Sequence, residues 1–251
     1  MTMRIEWRGP RTTIGEHHVL MVAFPGVGNV GKVAIESIWK LNDAQEIARL
    51  HPSGLPPLAT LDDDGLLSPP HLSLRLTTTE AGLNVLTLTG PSQPNEPSAQ
   101  SQMALDLMEF FQQEKVREVL VLTGMMDEPN RKETFMVASS SSHRIDLEGR
   151  GVDVRRDEPK GGAIGVSALL ASMGPLFGMP SSCVITTTVG SSGDILASQR
   201  LIEHLNRWYN LGLSVPNEGN EWLKRRLENI APSKGEDLVA ELSASHDAFY
   251  M

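Results

Sequence analysis

The order of apolar and polar positions predicts alternating strands and helices along most of the chain. The run from His18 to Phe24 is almost entirely apolar, which is typical of a strand buried on both faces, and a Pro-Gly turn follows it. Residues 30–41 then carry apolar side chains at helical spacing. The same patterns predict further strands at 46–50, 72–77, 84–89, 118–123 and 182–189, and further helices at 103–114, 167–173 and 195–208.

This alternation indicates an α/β domain in which helices flank a largely parallel sheet. Leu72, Leu74 and Leu76 alternate with polar residues, as expected of a half-buried strand. The strand at 84–89 is predicted to pair with it in the antiparallel direction, so the sheet is mixed.

The strand pattern stops after Gly212, which suggests two parts of the chain. We predict an α/β domain over residues 1–212 and a C-terminal helical extension over residues 213–251, with helices at 218–230 and 236–250. Within the domain, residues 127–160 are rich in charge and contain four consecutive serines, Ser139 to Ser142. Short surface strands and loops are expected there.

Composition narrows the classes of function. The chain has 251 residues and a formal net charge of -9, which disfavours a nucleic-acid-binding protein because such proteins usually carry a basic face. The longest early apolar run, Val19 to Phe24, is far too short to span a bilayer, so no membrane association is expected. The lone Cys183 has no partner for an internal disulfide and lies in a predicted buried strand, which favours a reducing, cytoplasmic location.

A glycine-rich segment between the first strand and the first helix is the most specific candidate for chemistry. Residues 26–31 fit the pattern G-x-G-x-x-G, which in this context binds dinucleotides. However, the acidic residue expected at the end of the next strand is missing, since Glu46 falls near that strand's beginning. The segment also resembles a phosphate-binding loop ending in Lys32, but Val33 stands where Ser or Thr would hold magnesium.

Both nucleotide patterns therefore lack a chemically required residue, and a tight strand-to-helix turn is the favoured interpretation. The alternative is an anion site used by a small-molecule enzyme, ligase-like or phosphorylase-like. Its candidate residues are Gly26, Gly28, Asn29, Gly31 and Lys32. We expect no cofactor, no metal site and no catalytic residues, because the triplet 62–64 is typical of a solvated turn and the histidines and serines show no zinc or nucleophile spacing.

The last three residues, Phe249, Tyr250 and Met251, place an apolar ring, a phenol and a free carboxylate together at a chain end. Such an end suits capture by another protein, in which the carboxylate meets a cation while the neighbouring side chains fill apolar slots. The alternative is that Phe249 packs on its own core, because it lies two helical turns beyond Leu242 on the same predicted face.

Several segments, taken in order, resemble the proteasome assembly chaperone 2 family. They are Phe24 to Lys32, Leu55 to Pro57 with the acidic-Gly turn behind it, Gly161 to Gly165, and the C-terminal helical region. The resemblance spans roughly residues 18–212. It implies a fold similar to that of nucleoside phosphorylases and peptidyl hydrolases, a homo-oligomer, and no assigned catalytic residues. It also implies that Phe249, Tyr250 and Met251 form a hydrophobic-Tyr-X tail that enters pockets between α subunits of the proteasome core particle.

Overall fold

The computed structural model describes residues 3–9, 19–61, 65–79, 82–190 and 193–216. The strands in these ranges are β1 (Arg4–Trp7), β2 (Val19–Val22), β3 (Gln45–His51), β4 (Thr60–Leu61), β5 (Leu67–Ser68), β6 (Leu72–Thr78), β7 (Asn84–Thr89), β8 (Val119–Met126), β9 (Thr134–Ala138) and β10 (Ser181–Thr188). The helices are α1 (Val30–Leu41), α2 (Pro97–Gln113), α3 (Ser141–Gly149), α4 (Val166–Met173) and α5 (Ile195–Tyr209). None of the helices in the ranges above is both long and apolar enough to cross a bilayer.

Eight strands form one sheet in the order β1-β3-β6-β7-β2-β8-β10-β9, and β4 and β5 form a separate two-stranded hairpin. The four central strands, β7, β2, β8 and β10, run parallel to one another. On the flanks, β1, β3, β6 and β7 pair antiparallel in succession, and β9 pairs antiparallel with β10. This arrangement confirms the predicted mixed α/β fold, with its parallel strands in the centre.

Helices on both faces of the sheet explain why β2 and the first four residues of β8 are apolar throughout. In β8, Val119 and Val121 belong to a core shared with α2 and α4. Leu120 and Leu122, on the opposite face, belong to a second core shared with α1 and α5. A parallel strand covered on both faces has no water-facing side, and β2 and this part of β8 accordingly show no polar alternation.

Two segments contradict the prediction of short surface strands and loops at 127–160. β9 lies at one side of the main sheet, and its Phe135 is fully buried. Residues 141–149 form α3, and Ser140 caps this helix by accepting a hydrogen bond of 3.2 Å from the backbone amide of His143. The prediction was wrong because serines favour helix beginnings as well as loops, and α3 buries too few apolar residues to show helical spacing.

The predicted position of the lone cysteine in a buried strand is confirmed. Cys183 lies on β10 with 9% of its surface exposed, and burial raises the pKa of its thiol to about 12. Because the thiolate is the reactive form, this cysteine is an inert part of the core.

The described chain continues a few residues beyond the predicted domain boundary at 212. Leu213 is 4% exposed, and its backbone exchanges two hydrogen bonds of 2.8 Å with the side chain of Asn206 on α5. The helices predicted at 218–230 and 236–250 lie outside the described residues, so the helical extension stays a prediction.

The cap of α3 gives a test of the fold. We expect Ser140→Ala to lower the free energy of unfolding by about 1 kcal/mol, because it removes the acceptor for the amide of His143. The matched control is Ser141→Ala, at the exposed first position of the same helix, which should change that free energy by less than about 0.5 kcal/mol. Urea unfolding measures both. Equal losses in the two variants would contradict the assignment of the cap.

Candidate functional site

The carboxyl ends of the parallel strands lie along one side of the sheet, which we call the carboxyl edge. The segments after β2, β7, β8 and β10 leave the sheet on this side. Ligands of open α/β sheets usually bind there, in the crevice outside the strand ends. The glycine loop, residues 25–31, follows β2 and lies at the centre of this edge.

The glycine loop forms a tight turn that leads directly into α1. Its middle is one turn of 3-10 helix, Val27–Asn29, in which Gly28 has a φ of 62°. A Cβ atom on Gly28 would lie 2.9 Å from the hydroxyl oxygen of Thr188, so both the backbone and the neighbouring strand favour glycine. The backbone amide of Gly26 donates to the side-chain oxygen of Asn29 at 3.3 Å.

The carbonyl group of Gly28 connects this loop to the beginning of α5. It accepts hydrogen bonds from the backbone amides of Gly193 and Asp194, at 3.1 and 3.0 Å. The Asp194 carboxylate caps α5 by accepting from the amide of Ala197 at 2.9 Å, and it also accepts from the hydroxyl of Thr188 at 2.7 Å. The two loops are therefore held as one unit, and the polar groups named here satisfy one another.

Gly31 is required for close packing of α1 against the sheet. A Cβ atom at this position would overlap the carbonyl oxygen of Leu122 in β8. Gly124, further along β8, faces the glycine loop in the same way, because its Cβ atom would overlap the carbonyl oxygen of Val27. The structure thus uses these glycines for a strand-to-helix turn and for helix–sheet packing, as the favoured interpretation of the sequence expects.

An anion site at the glycine loop would take its positive charge from Lys32. It is 8% exposed, and its ammonium nitrogen lies 3.4 Å from the carbonyl oxygen of Pro91 and 3.9 Å from a carboxylate oxygen of Glu36. An anion at the glycine loop would compete with this carboxylate for the lysine. The anion site formed by Gly26, Gly28, Asn29, Gly31 and Lys32 stays a prediction.

Gln93 joins the glycine loop to the segment after β7. Its side-chain amide donates to the carbonyl oxygen of Pro25 at 2.8 Å. Its own amide oxygen is buried and, in the part of the chain that the structure describes, has no hydrogen-bond partner. A Cβ atom on Gly165 would lie 3.4 Å from that oxygen, which places the glycine-rich segment 161–165 beside the glycine loop. Two of the segments that carry the sequence resemblance are thus neighbours in space.

A buried polar cluster that the sequence did not predict lies at the opposite edge of the sheet. Glu118 accepts a hydrogen bond of 2.6 Å from the hydroxyl of Tyr209 and lies 3.5 Å from the Nε2 atom of His143. The same Nε2 atom lies 3.2 Å from the hydroxyl of Ser182. Burial raises the pKa of Tyr209 and lowers the pKa of His143.

These three residue types do not form a nucleophilic triad. In such a triad the serine and the carboxylate contact different nitrogens of the histidine, whereas here both approach Nε2. Ser182 is also fully buried, so a substrate has no access to it. The cluster instead connects α3 and the end of α5 to the beginnings of β8 and β10.

The tail residues Phe249, Tyr250 and Met251 lie outside the described residues, and so does the acidic triplet 62–64. In the ranges that are described, no three His, Cys, Asp or Glu side chains come together as a metal-binding group.

The fold and its carboxyl edge define a class of mixed α/β proteins. In this class a glycine loop follows a central strand and allows the first helix to pack closely against the sheet. The chain belongs to the PAC2 family, whose model matches residues 20–232.

Three proteins from archaea are similar to this chain in sequence or in fold. An uncharacterized protein of Methanocaldococcus jannaschii, MJ1210, is 20% identical over 200 residues, which are 80% of this chain and 77% of that protein. Pyrococcus furiosus PbaB, an archaeal proteasome activator, superposes with a TM-score of 0.72 at 20% identity, over 90% of this chain and 95% of its own. Pyrococcus furiosus PbaA, an archaeal homolog of proteasome-assembly chaperone, gives 0.69 at 22%, over 91% and 97%. At 20% and 22% identity, the similarity to the two Pyrococcus furiosus structures establishes the fold alone.

The glycine loop offers a matched pair of substitutions. We expect Gly31→Ala to lower the free energy of unfolding by about 1–3 kcal/mol, because the added methyl group overlaps the backbone of Leu122. Gly26→Ala should cost less than about 0.5 kcal/mol, because that position is extended and open. Chemical denaturation compares the two. If they cost the same, close packing does not explain the glycine at 31.

The burial of His143 allows a prediction of how the free energy of unfolding depends on pH. Burial lowers the pKa of His143 below its ordinary value of 6.5, so the neutral ring stabilises the folded state fully above that pH. As the pH falls through 6.5 towards the lowered pKa, the unfolded chain binds a proton that the folded chain excludes, and stability is lost.

We therefore expect His143→Gln to lose less stability than the wild type between about pH 7.5 and pH 5.5, as measured by urea unfolding at both values. The control, Ser182→Ala, keeps the titrating ring and should keep the wild-type pH dependence. An unchanged pH dependence in His143→Gln would show that this ring is not a source of the effect.

Proposed function

We propose that this chain is a non-enzymatic proteasome-assembly chaperone or proteasome-binding adaptor. The observation that carries the proposal is the end of the sequence, Phe249-Tyr250-Met251, in a member of the PAC2 family. Two proteins of the same fold support it, since one is an archaeal proteasome activator and the other an archaeal homolog of proteasome-assembly chaperone. In the proposal, the tail docks into pockets between α subunits of the core particle, in the cytoplasm.

Each tail residue has a separate role in this proposal. The ring of Phe249 fills an apolar slot, and Tyr250 packs at the rim of the pocket while its hydroxyl makes a hydrogen bond. The carboxylate of Met251 pairs with a lysine of the pocket, an interaction that depends on the position of the chain end and not on the methionine side chain.

A homo-oligomer would make such short tails effective. One tail of three residues binds weakly, but several tails on one assembly act at a high effective concentration. Avidity of this kind raises apparent affinity by about 10²–10⁴ without any new contact, provided that the tails reach several pockets at once.

The rival hypothesis, a small-molecule enzyme with an anion site at the glycine loop, has weaker support from the geometry. Gly31 is used for packing, and Lys32 lies near the carboxylate of Glu36. A nucleotide or phosphate that bound there would raise the melting temperature by mass action. We expect no such shift with a panel of nucleotides and inorganic phosphate.

Binding of the purified full chain to immobilised proteasome core particle tests the proposal. We expect removal of residues 249–251, and separately Tyr250→Ala, to weaken binding by at least about tenfold, because either change removes an anchor at the centre of a small interface. Met251→Ala keeps the terminal carboxylate and should bind nearly as well as the wild type. The melting temperature and the oligomer mass should be the same in all four proteins.

Undiminished binding by the chain that lacks residues 249–251 would refute docking by the tail. A loss of binding accompanied by a changed oligomer mass would instead point to a structural role for the tail.

A further inference from the structure

Within the described residues, one flank of the sheet packs against an apolar core on one side only. The strands β1, β3 and β6 direct apolar side chains, among them Ile5, Leu50 and Leu74, into the core shared with α2. In the ranges that the structure describes, the second core, beneath α1 and α5, contains no residue of these three strands. We call the side of β1, β3 and β6 that faces away from α2 the open face.

The open face carries more positive than negative charge. Strand alternation and side-chain contacts place four arginines and two glutamates on it, which are Arg4, Arg8, Arg49, Arg75, Glu6 and Glu46. On α1, which lies against β6 and β7, Glu36 is 3.9 Å from Lys32, so these two charges offset each other. The chain as a whole has a formal net charge of -9, so the open face has the opposite sign to the molecule around it.

Contacts between neighbouring strands join the charged groups into one continuous surface. The carboxylate of Glu46 accepts a hydrogen bond from the hydroxyl of Ser73 and lies 2.9 Å from the Nε atom of Arg49. Arg8 lies 3.7 Å from the same carboxylate and 3.0 Å from that of Glu6. Both glutamates are therefore held by arginines of the open face itself.

Arg75 is held in place while the outer part of its guanidinium group stays available. Its guanidinium carbon lies 4.3 Å from the centre of the Trp39 ring, and its Nε atom donates to the hydroxyl of Ser73 at 3.2 Å. Trp39 is fixed in turn, because its Nε1 atom donates to the hydroxyl of Thr87 at 2.6 Å. Among the described residues, neither Nη atom of Arg75 has a hydrogen-bond or ion-pair partner.

A guanidinium group in this state is prepared for an anion. Stacking on the indole ring and the hydrogen bond at Nε orient the group, and its two Nη atoms present parallel donors. Carboxylates accept such a fork through two hydrogen bonds at once.

We propose that the open face binds an acidic segment of a partner protein, and that Arg75 is the anchor that holds one of its carboxylates. The other arginines of the face attract the remaining carboxylates of the segment. Because ion pairs and stacking already order these side chains, binding costs less conformational entropy than mobile arginines would require. The inference goes beyond the proposed function, in which the chain end makes the contact with the proteasome.

The distribution of charge favours a short acidic segment over a nucleic acid. A long polyanion would also approach the rest of the molecule, whose net charge is negative, and would be repelled there. A segment of a few residues meets the open face alone.

Fluorescence anisotropy of a labelled synthetic peptide tests the open face. The probe is a peptide of ten residues in which Glu and Ala alternate, and its companion has Gln in place of Glu. We expect the acidic peptide to bind the full chain, more weakly as salt is raised, and the companion not to bind measurably. Arg75→Gln should raise the dissociation constant of the acidic peptide by at least about tenfold, because it removes the anchor.

Two further variants are the controls. Arg117→Gln removes the same charge from an exposed position just before β8, outside the open face, and should bind the peptide as the wild type does. Arg75→Lys keeps the charge but lacks the planar fork, so its affinity should lie between those of the wild type and Arg75→Gln. Equal melting temperatures in the wild type and the three variants would show that a loss of binding is not a loss of fold.

Tryptophan emission reports on Arg75 directly. Because the guanidinium group stacks on the ring of Trp39, capture of a carboxylate should change the emission when unlabelled acidic peptide is added. Trp39→Phe should lose this change. A diffuse electrostatic attraction would leave the emission of the wild type constant, and that result would contradict the role of Arg75.

Absence of binding by the acidic peptide, or equal losses in Arg75→Gln and Arg117→Gln, would overturn the proposal. Tighter binding of a single-stranded DNA of ten nucleotides than of the acidic peptide would overturn it as well, since a nucleic acid would then be the better occupant. The chain that lacks residues 249–251 should bind the peptide as the wild type does. Failure of docking by the tail and failure of the open face are therefore distinguishable.

Discussion

Where α1 begins, its backbone lies directly against β8, and glycines at 31 and 124 leave no side chain between the helix and the strand. This close approach sets the depth at which α1 packs on the sheet, and other parts of the same layer follow from it. The hydroxyl of Ser198 on α5 donates to the carbonyl oxygen of Val30 at 2.9 Å, and the carbonyl of Gly28 accepts from the amides at the beginning of α5. Backbone contacts near a single loop thus join α1 and α5 to one face of the sheet. Closely packed protein interiors tolerate little added volume.

Elements with strong periodicity could be predicted from the sequence, and elements built on polar contacts could not. α1 has the predicted bounds, Val30–Leu41, and β10 differs by one residue at each end, because burial on one or both faces dictates their apolar positions. α3 depends on the cap by Ser140 and on few buried apolar residues, so its spacing carries no helical signal. β1 has four residues, of which Arg4 and Glu6 are charged, and it exists because it pairs with β3.

The candidate site shows the same division. A glycine pattern between a strand and a helix located the loop, and its missing acidic and magnesium-binding residues favoured a packing role, which the geometry of Gly31 supports. The cluster around Glu118 was not predictable, because its partners at positions 143, 182 and 209 are far apart in sequence and follow no known spacing. The hydrophobic-Tyr-X tail stays a prediction from three residues and a resemblance, and it lies outside the described residues.

The outer side of β9 is paired with a later segment of the same chain at Met136. The amide of Met136 donates to the carbonyl of Asp153 at 2.8 Å, and the amide of Arg155 donates to the carbonyl of Met136 at 2.9 Å, so these backbone groups of the strand are already occupied. Exposed strand edges recruit further strands and lead to open-ended β aggregation. With the outward backbone groups of Met136 occupied by its own chain, the addition of a further strand is hindered at this position of the edge.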